Sequence, residues 1–207
     1  MAMREKYRRK TPFRQAKEEV LIVCGGQTEK KYFEMFNQVF RPSLGSVSVI
    51  TAVETKSPMH VVEYAIKARN RKNSYNAVWC VFDKDDFIDF DDAVRHAESN
   101  AICVAYSNQA FEVWFINHFR ILKAPLSRTR YKHELKKFLA FNYDKSADVI
   151  DKISSMLLTE ERVRTAITNS RLGYERHKIE SAIIKPSAFE SCTTVFKLVQ
   201  SLLSWTK

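Results

Sequence analysis

Glycine is scarce in this sequence, with four residues in 207. That argues against a glycine-rich nucleotide cradle and against long flexible linkers. No apolar run approaches the roughly 20 residues needed to span a bilayer. The N-terminus is basic and lacks the apolar stretch of a secretory leader, so a cytoplasmic protein without membrane attachment is expected. Four cysteines (Cys24, Cys80, Cys103 and Cys192) form no C-x-x-C pair. Three lie in predicted strands, which suits reduced core thiols better than zinc ligands or disulfides.

Acidic residues are also in the minority, and net charge is +10. Residues 1–17 hold seven Lys/Arg against the single acid Glu5, so this arm is +6 and the other 190 residues carry +4. A basic arm beside a less charged body is a common footprint for a polyanionic partner, because Lys and Arg contacts to phosphate release counterions. A solubilising tail would look the same. Residues 120–145 add a second basic set: Arg120, Lys123, Arg128, Arg130, Lys132, Lys136, Lys137 and Lys145. Of these, Arg128, Arg130, Lys132 and Lys136 are candidates for a phosphate-backbone track.

Short β-branched and apolar runs mark the strands. The run 77–82 reads as a strand buried on both faces and ends in three carboxylates, Asp83, Asp85 and Asp86. Residues 19–24 form a second such run, which breaks at Gly25-Gly26. Thr28 then suits the N-cap of a helix with its apolar stripe at Tyr32, Phe33, Phe36 and Phe40, stopped at Arg41-Pro42-Ser43. A strand at 47–53, a helix from Pro58 to about Asn73, a helix near 89–100 and a strand at 101–106 complete a β-α-β-α-β-α-β order. That order calls for a parallel sheet with right-handed crossovers. Beyond residue 107 everything reads as helix, over 148–158, 160–184 and 193–205. The aromatic stripe of Phe111, Trp114, Phe115, His118 and Phe119 reads as core, with His118 packed rather than a ligand. The expected organisation is a basic arm at 1–17, an α/β domain at 18–107 and a helical region at 108–207 packed on it.

In an open parallel sheet the carboxyl ends of the strands share one edge, so the Gly25-Gly26 turn and the Asp83–Asp86 turn could line one crevice. Crowded carboxylates repel, and a hard divalent cation such as Mg²⁺ or Mn²⁺ offsets them; a solvated acidic turn is the plainer alternative. A helix start at Gly26 and Thr28 offers free N–H groups suited to a phosphate. Acidic metal ligands facing such a helix end suit phosphodiester hydrolysis or nucleotidyl transfer.

Four stretches, LIVCGGQTEKKYF, VFDKDDF, SNQAFEVWFINHF and KPSAFESCTTVFKLVQSLL, together resemble RloB-like proteins of bacterial defence and restriction-modification neighbourhoods. The resemblance implies a Toprim-like α/β fold, a parallel sheet flanked by helices with a helical C-terminal region. It implies a metal-dependent nuclease-like protein acting on DNA or RNA, tRNA included, and a defence-system partner protein; a homo-oligomer stays open. Carried over by position, Asp83 and Asp85 match the metal-binding D-x-D, Asp86 is an auxiliary acid and Glu112 matches the acid of the aromatic helix. The family pattern has Glu where this chain has Gly25, an acid used in Toprim mechanisms for proton transfer or a second metal. Glu29, one helical turn on, is a candidate substitute, although a residue inside the helix is expected to point elsewhere. A non-catalytic nucleic-acid-binding or partner-binding module is the alternative.

Overall fold

The computed structural model describes residues 18–44, 47–181 and 185–205. The basic arm at 1–17 lies outside them. Four strands, β1 (Glu19–Cys24), β2 (Ser48–Val53), β3 (Ala77–Asp83) and β4 (Cys103–Ser107), pair in parallel in the order β2-β1-β3-β4. Helices α1 (Gln27–Leu44), α2 (Pro58–Arg71) and α3 (Phe90–Ser99) connect them, so the expected α/β order holds.

The continuous apolar runs of β1 and β3 have a physical reason. Val20, Ile22 and Cys24 enter one core with Trp79 and Val81, whereas Leu21 and Val23 enter another with Val78, Cys80 and Phe82. Alternate residues thus serve opposite faces, and neither face meets water. The second core is closed by α2 and α3 through Val61, Val62, Ala65, Phe90, Ala93 and Val94. The first is closed by α1 and by the helices that follow the sheet: α4 (Glu112–Asn117), α5 (Arg128–Lys136), α6 (Ala147–Leu157), α7 (Glu160–Glu180) and α8 (Val195–Ser204). A 3₁₀ turn spans Pro186–Ala188.

The aromatic stripe is core, as expected. Trp114 is fully buried, and Tyr32 lies edge-on to Phe33, Phe111 and Trp114. His118 sits against Trp114, its Nδ1–H donating to the Trp114 carbonyl (2.9 Å) and its Nε2 in hydrogen-bond contact with Tyr32 Oη (3.3 Å). Trp114→Ala is therefore expected to cost about 3–5 kcal/mol in a urea titration, the range for emptying a large aromatic site.

Three local expectations need correction. Helix α1 starts at Gln27, so Thr28 is a buried second residue and not the N-cap. The same helix runs through Pro42 to the buried Leu44, because a proline in the last turn removes a single intrahelical bond while Leu44 still anchors the end. Cys103 is exposed at the start of β4, although Cys24, Cys80 and Cys192 are buried free thiols.

The C-terminal segment docks on the outer edge of β4. Thr193 bridges Ser107 in antiparallel fashion, the Thr194 N–H donates to the Tyr106 carbonyl at 2.8 Å, and the Asn108 N–H donates to the Cys192 carbonyl at 2.8 Å. Among the described residues, no helix is long and apolar enough to cross a membrane.

Candidate acidic site at the sheet's switch point

The chain leaves β1 toward β2 on one side and returns as β3 on the other. The carboxyl ends of β1 and β3 therefore face a switch point, the usual place for a crevice in such sheets. The Gly25 N–H donates to the Val81 carbonyl at 2.7 Å, which holds the glycine turn beside the end of β3. A cleft of about 320 Å³ opens there, lined among others by Gly25, Gly26, Thr28, Glu29, Asp83, Asp85, Arg128 and Lys145.

Glu29 is the residue that sequence reasoning misplaced. Its side chain folds back over the glycine turn and is 4% exposed. A Cβ on Gly26 would stand 2.7 Å from Glu29 Oε2, so the carboxylate occupies the space that a side chain at 26 would need. The signal available in the sequence was the pair of side-chain-free residues just before a first-turn acid: they leave a hollow into which that acid can turn. At Gly25 a Cβ would meet Phe82 Cβ at 3.2 Å, tight but short of exclusion.

Glu112 arrives from α4, buried at 3% exposure, although it sits in a first turn where an acid is often solvated. Its Oε1 accepts a hydrogen bond from the Tyr143 hydroxyl at 3.1 Å and pairs with Lys145 Nζ at 3.2 Å. Asp83 closes the group from the last position of β3. One oxygen on each acid, Glu29 Oε2, Asp83 Oδ1 and Glu112 Oε2, is buried without a hydrogen-bond partner. Such orphaned acceptors are costly unless protonated or met by a cation.

The electrostatics follow from the geometry. Burial above all pushes Glu29 up to about 7, and Glu112 adds to the rise, while its own backbone N–H, Lys145 and Asp83 pull it back. Burial likewise raises Asp83 well above the ordinary carboxylate range, reinforced by Glu29 and Glu112. For Lys145, burial acts to lower the pKa, yet Glu112 and Asp83 outweigh it and hold the ammonium above its usual value.

The other expected residues divide. Asp85 lines the same cleft, with a left-handed φ of 44° that Asp tolerates better than most residues, and forms an ion pair with Arg128. Its turn is clamped by the Lys84 N–H donating to the Ser107 carbonyl (2.9 Å) and the Asp85 N–H to the Gln109 carbonyl (3.1 Å). Asp86 is exposed and outside the cleft lining. Gly26 and Thr28 line the cleft, Gly26 directly against the Glu29 carboxylate. Arg128, Lys132 and Lys136 recur every four residues along α5, so they share one exposed face that starts at the cleft; Arg130, also exposed, is off that face.

The donor set of three carboxylates with orphaned oxygens fits a hard divalent cation in chemistry. In spacing, no three His, Cys, Asp or Glu side chains among the described residues stand together as a metal shell. Lys145 is the cation that the acids face.

Comparison with known proteins gives one family. The profile of the RloB-like protein family matches residues 20–202. No curated protein and no solved structure matches the chain.

Proposed function

The chain belongs to the RloB-like family, and from that premise and the acidic cleft we propose a Toprim-type, metal-dependent nuclease-like protein that acts on nucleic acid in antiphage defence. The observation that carries this reading is the set of three carboxylates, each with one buried, unpartnered oxygen, at the switch point of a parallel sheet. Asp83 and Glu112 would hold Mg²⁺ or Mn²⁺, which would supply Lewis-acid activation of a water and charge stabilisation for phosphodiester hydrolysis. Glu29, folded over Gly26 next to the position left without an acid at Gly25, takes the proton in its stead, since a carboxyl near 7 is poised for general-base work at neutral pH. Asp85 orients Arg128 at the cleft mouth, and the Arg128–Lys132–Lys136 face carries the phosphate backbone away from it.

The test is cleavage of end-labelled tRNA, single-stranded RNA and duplex and single-stranded DNA with Mg²⁺ or Mn²⁺. Metal-dependent cutting that vanishes in Asp83→Ala is the expected result. Gly25→Glu is expected to give no large gain, because Glu29 already occupies that corner. If neither the protein nor Gly25→Glu cuts any substrate, the nuclease reading falls.

A second reading is favoured by one observation, the absence of a ready metal shell among the described residues. It is a binding module that holds nucleic acid without cutting it. This predicts steeply salt-dependent binding that survives Asp83→Ala and EDTA.

A further inference from the structure

Phe87 lines the cleft with its ring 38% exposed, and the neighbouring Ile88, outside the lining, is fully exposed. Single exposed apolar residues are ordinary on a protein surface, so the setting decides. The turn that displays the ring is held at both ends. The Phe87 N–H donates to the Lys84 carbonyl at 3.1 Å, and the Lys84 and Asp85 N–H groups are themselves bound to the Ser107 and Gln109 carbonyls. On the other side Phe90 is buried, and Asp89 Oδ2 accepts from Ser57 Oγ (2.7 Å) and the Met59 N–H (3.3 Å) at the start of α2. The charges that line the cleft are sorted by depth. Lys56, Arg128 and Lys145 are exposed, whereas Glu29 is buried, Glu54, Asp83 and Asp85 are half-buried, and Asp85 is paired with Arg128.

The size of the cleft limits what it admits. Its volume of about 320 Å³ is at the small end of the roughly 300–1,000 Å³ of single-ligand pockets, whereas the major groove of a duplex alone is about 12 Å wide. The acids are closed off from the surface: Glu29 is 4% exposed and Asp83 Oδ1 is buried. A phosphodiester reaches them only by entering the cleft with its own nucleotide. A paired nucleotide would bring a whole double helix against the rim.

We propose that Phe87 is the platform on which an unpaired base stacks while the exposed cations hold its phosphates, so that the cleft takes single-stranded or extruded nucleotides and turns paired duplex away. Stacking on an aromatic ring accepts any base, since every base has a π-face, and an unpaired base is free to offer it. This names the substrate class of the nucleic-acid reading and rests on that reading, but it needs no metal in the site. A protein partner docking on Phe87 and Ile88 is the competing use of this tip, and it predicts nucleic-acid binding indifferent to residue 87.

Binding of labelled, unstructured RNA and DNA strands, alone and annealed to their complements, is measured by fluorescence anisotropy in EDTA at one fixed salt concentration. The full chain is compared with Phe87→Ala, Phe87→Trp and Ile88→Ala, each first checked for folding by circular dichroism. Phe87→Ala is expected to weaken single-strand binding about tenfold, the scale of one lost base–aromatic stack. Phe87→Trp is expected to bind as tightly as the native chain or more so, and Ile88→Ala to match it. Duplex binding, held by phosphate contacts alone, is expected to be the same in all four proteins. Single-strand binding that is equal in Phe87→Ala and the native chain, or lost as much in Ile88→Ala, overturns the platform and leaves the nucleic-acid reading standing. Failure of every folded form to bind any strand or duplex overturns both.

Discussion

Glu29→Gln is expected to lower metal-dependent cleavage by about 10²–10⁴-fold, the usual contribution of a positioned acid–base group. The substitution keeps the shape and hydrogen-bonding reach of the side chain and removes only its ability to take a proton. Its Mn²⁺ affinity should stay within a few-fold of the native value, because Asp83 and Glu112 are the assigned ligands. Asp83→Asn should instead lose Mn²⁺ binding and activity together. Single-turnover rates at saturating Mn²⁺ separate the two cases. A Glu29→Gln protein that cuts at the native rate would show that the carboxylate over the glycine turn is structural and that Gly25 left the proton-transfer position empty.

The second large effect concerns stability without metal. Burial holds Glu29 at about 7 in the folded chain against an ordinary value of 4.5. The folded form therefore keeps the proton where the unfolded chain gives it up. The associated stability is fully present below about 4.5, falls as pH climbs, and is gone once pH passes the folded value near 7. A shift of this size corresponds to about 3 kcal/mol, and Asp83 shifts in the same direction. His118 works against this trend. Burial holds it down to about 3, so it favours the folded state more as pH rises toward 6.5. The difference between the native chain and Glu29→Gln cancels the histidine. In EDTA, urea midpoints are expected to place the two proteins close together near pH 5. At pH 8 they are expected to favour Glu29→Gln by about 3 kcal/mol. Equal midpoints at both pH values would mean that Glu29 reaches solvent in the metal-free protein.

Most of the sheet was legible because its signal is local. The runs that became β1 and β3 are apolar without alternation, and only strands covered on both faces are built that way. The acids at the end of β3 could be placed on an edge for the same reason, since parallel strands deliver all their carboxyl ends to one side. Glu29 escaped because helical phase was taken to decide its direction; phase fixes where Cβ points, while three further torsions carried the carboxylate back over two residues with no side chains to stop it. Tyr143 escaped for a different reason, as did the pairing of Lys145, read only as one of a basic set, with Glu112. Tyr143 and Lys145 lie about sixty residues beyond Asp83, in a segment whose apolar periodicity is weak, and only the packing of α4, α5 and α6 brings them to the cleft. Asp85 and Asp86, adjacent in sequence, parted company at the left-handed turn, which sends one toward Arg128 and the other into water.

The antiparallel bridge at Thr193 gives the late part of the chain a mechanical role. Ser107 is the register partner of Asp83 across β3 and β4, and it is also the residue that Thr193 clasps from the other side, their hydroxyls 3.0 Å apart. Asp83 is thus propped from behind by a residue more than a hundred positions downstream. A chain severed ahead of Thr193 would keep every acid of the cleft and lose the buttress that keeps one of them still.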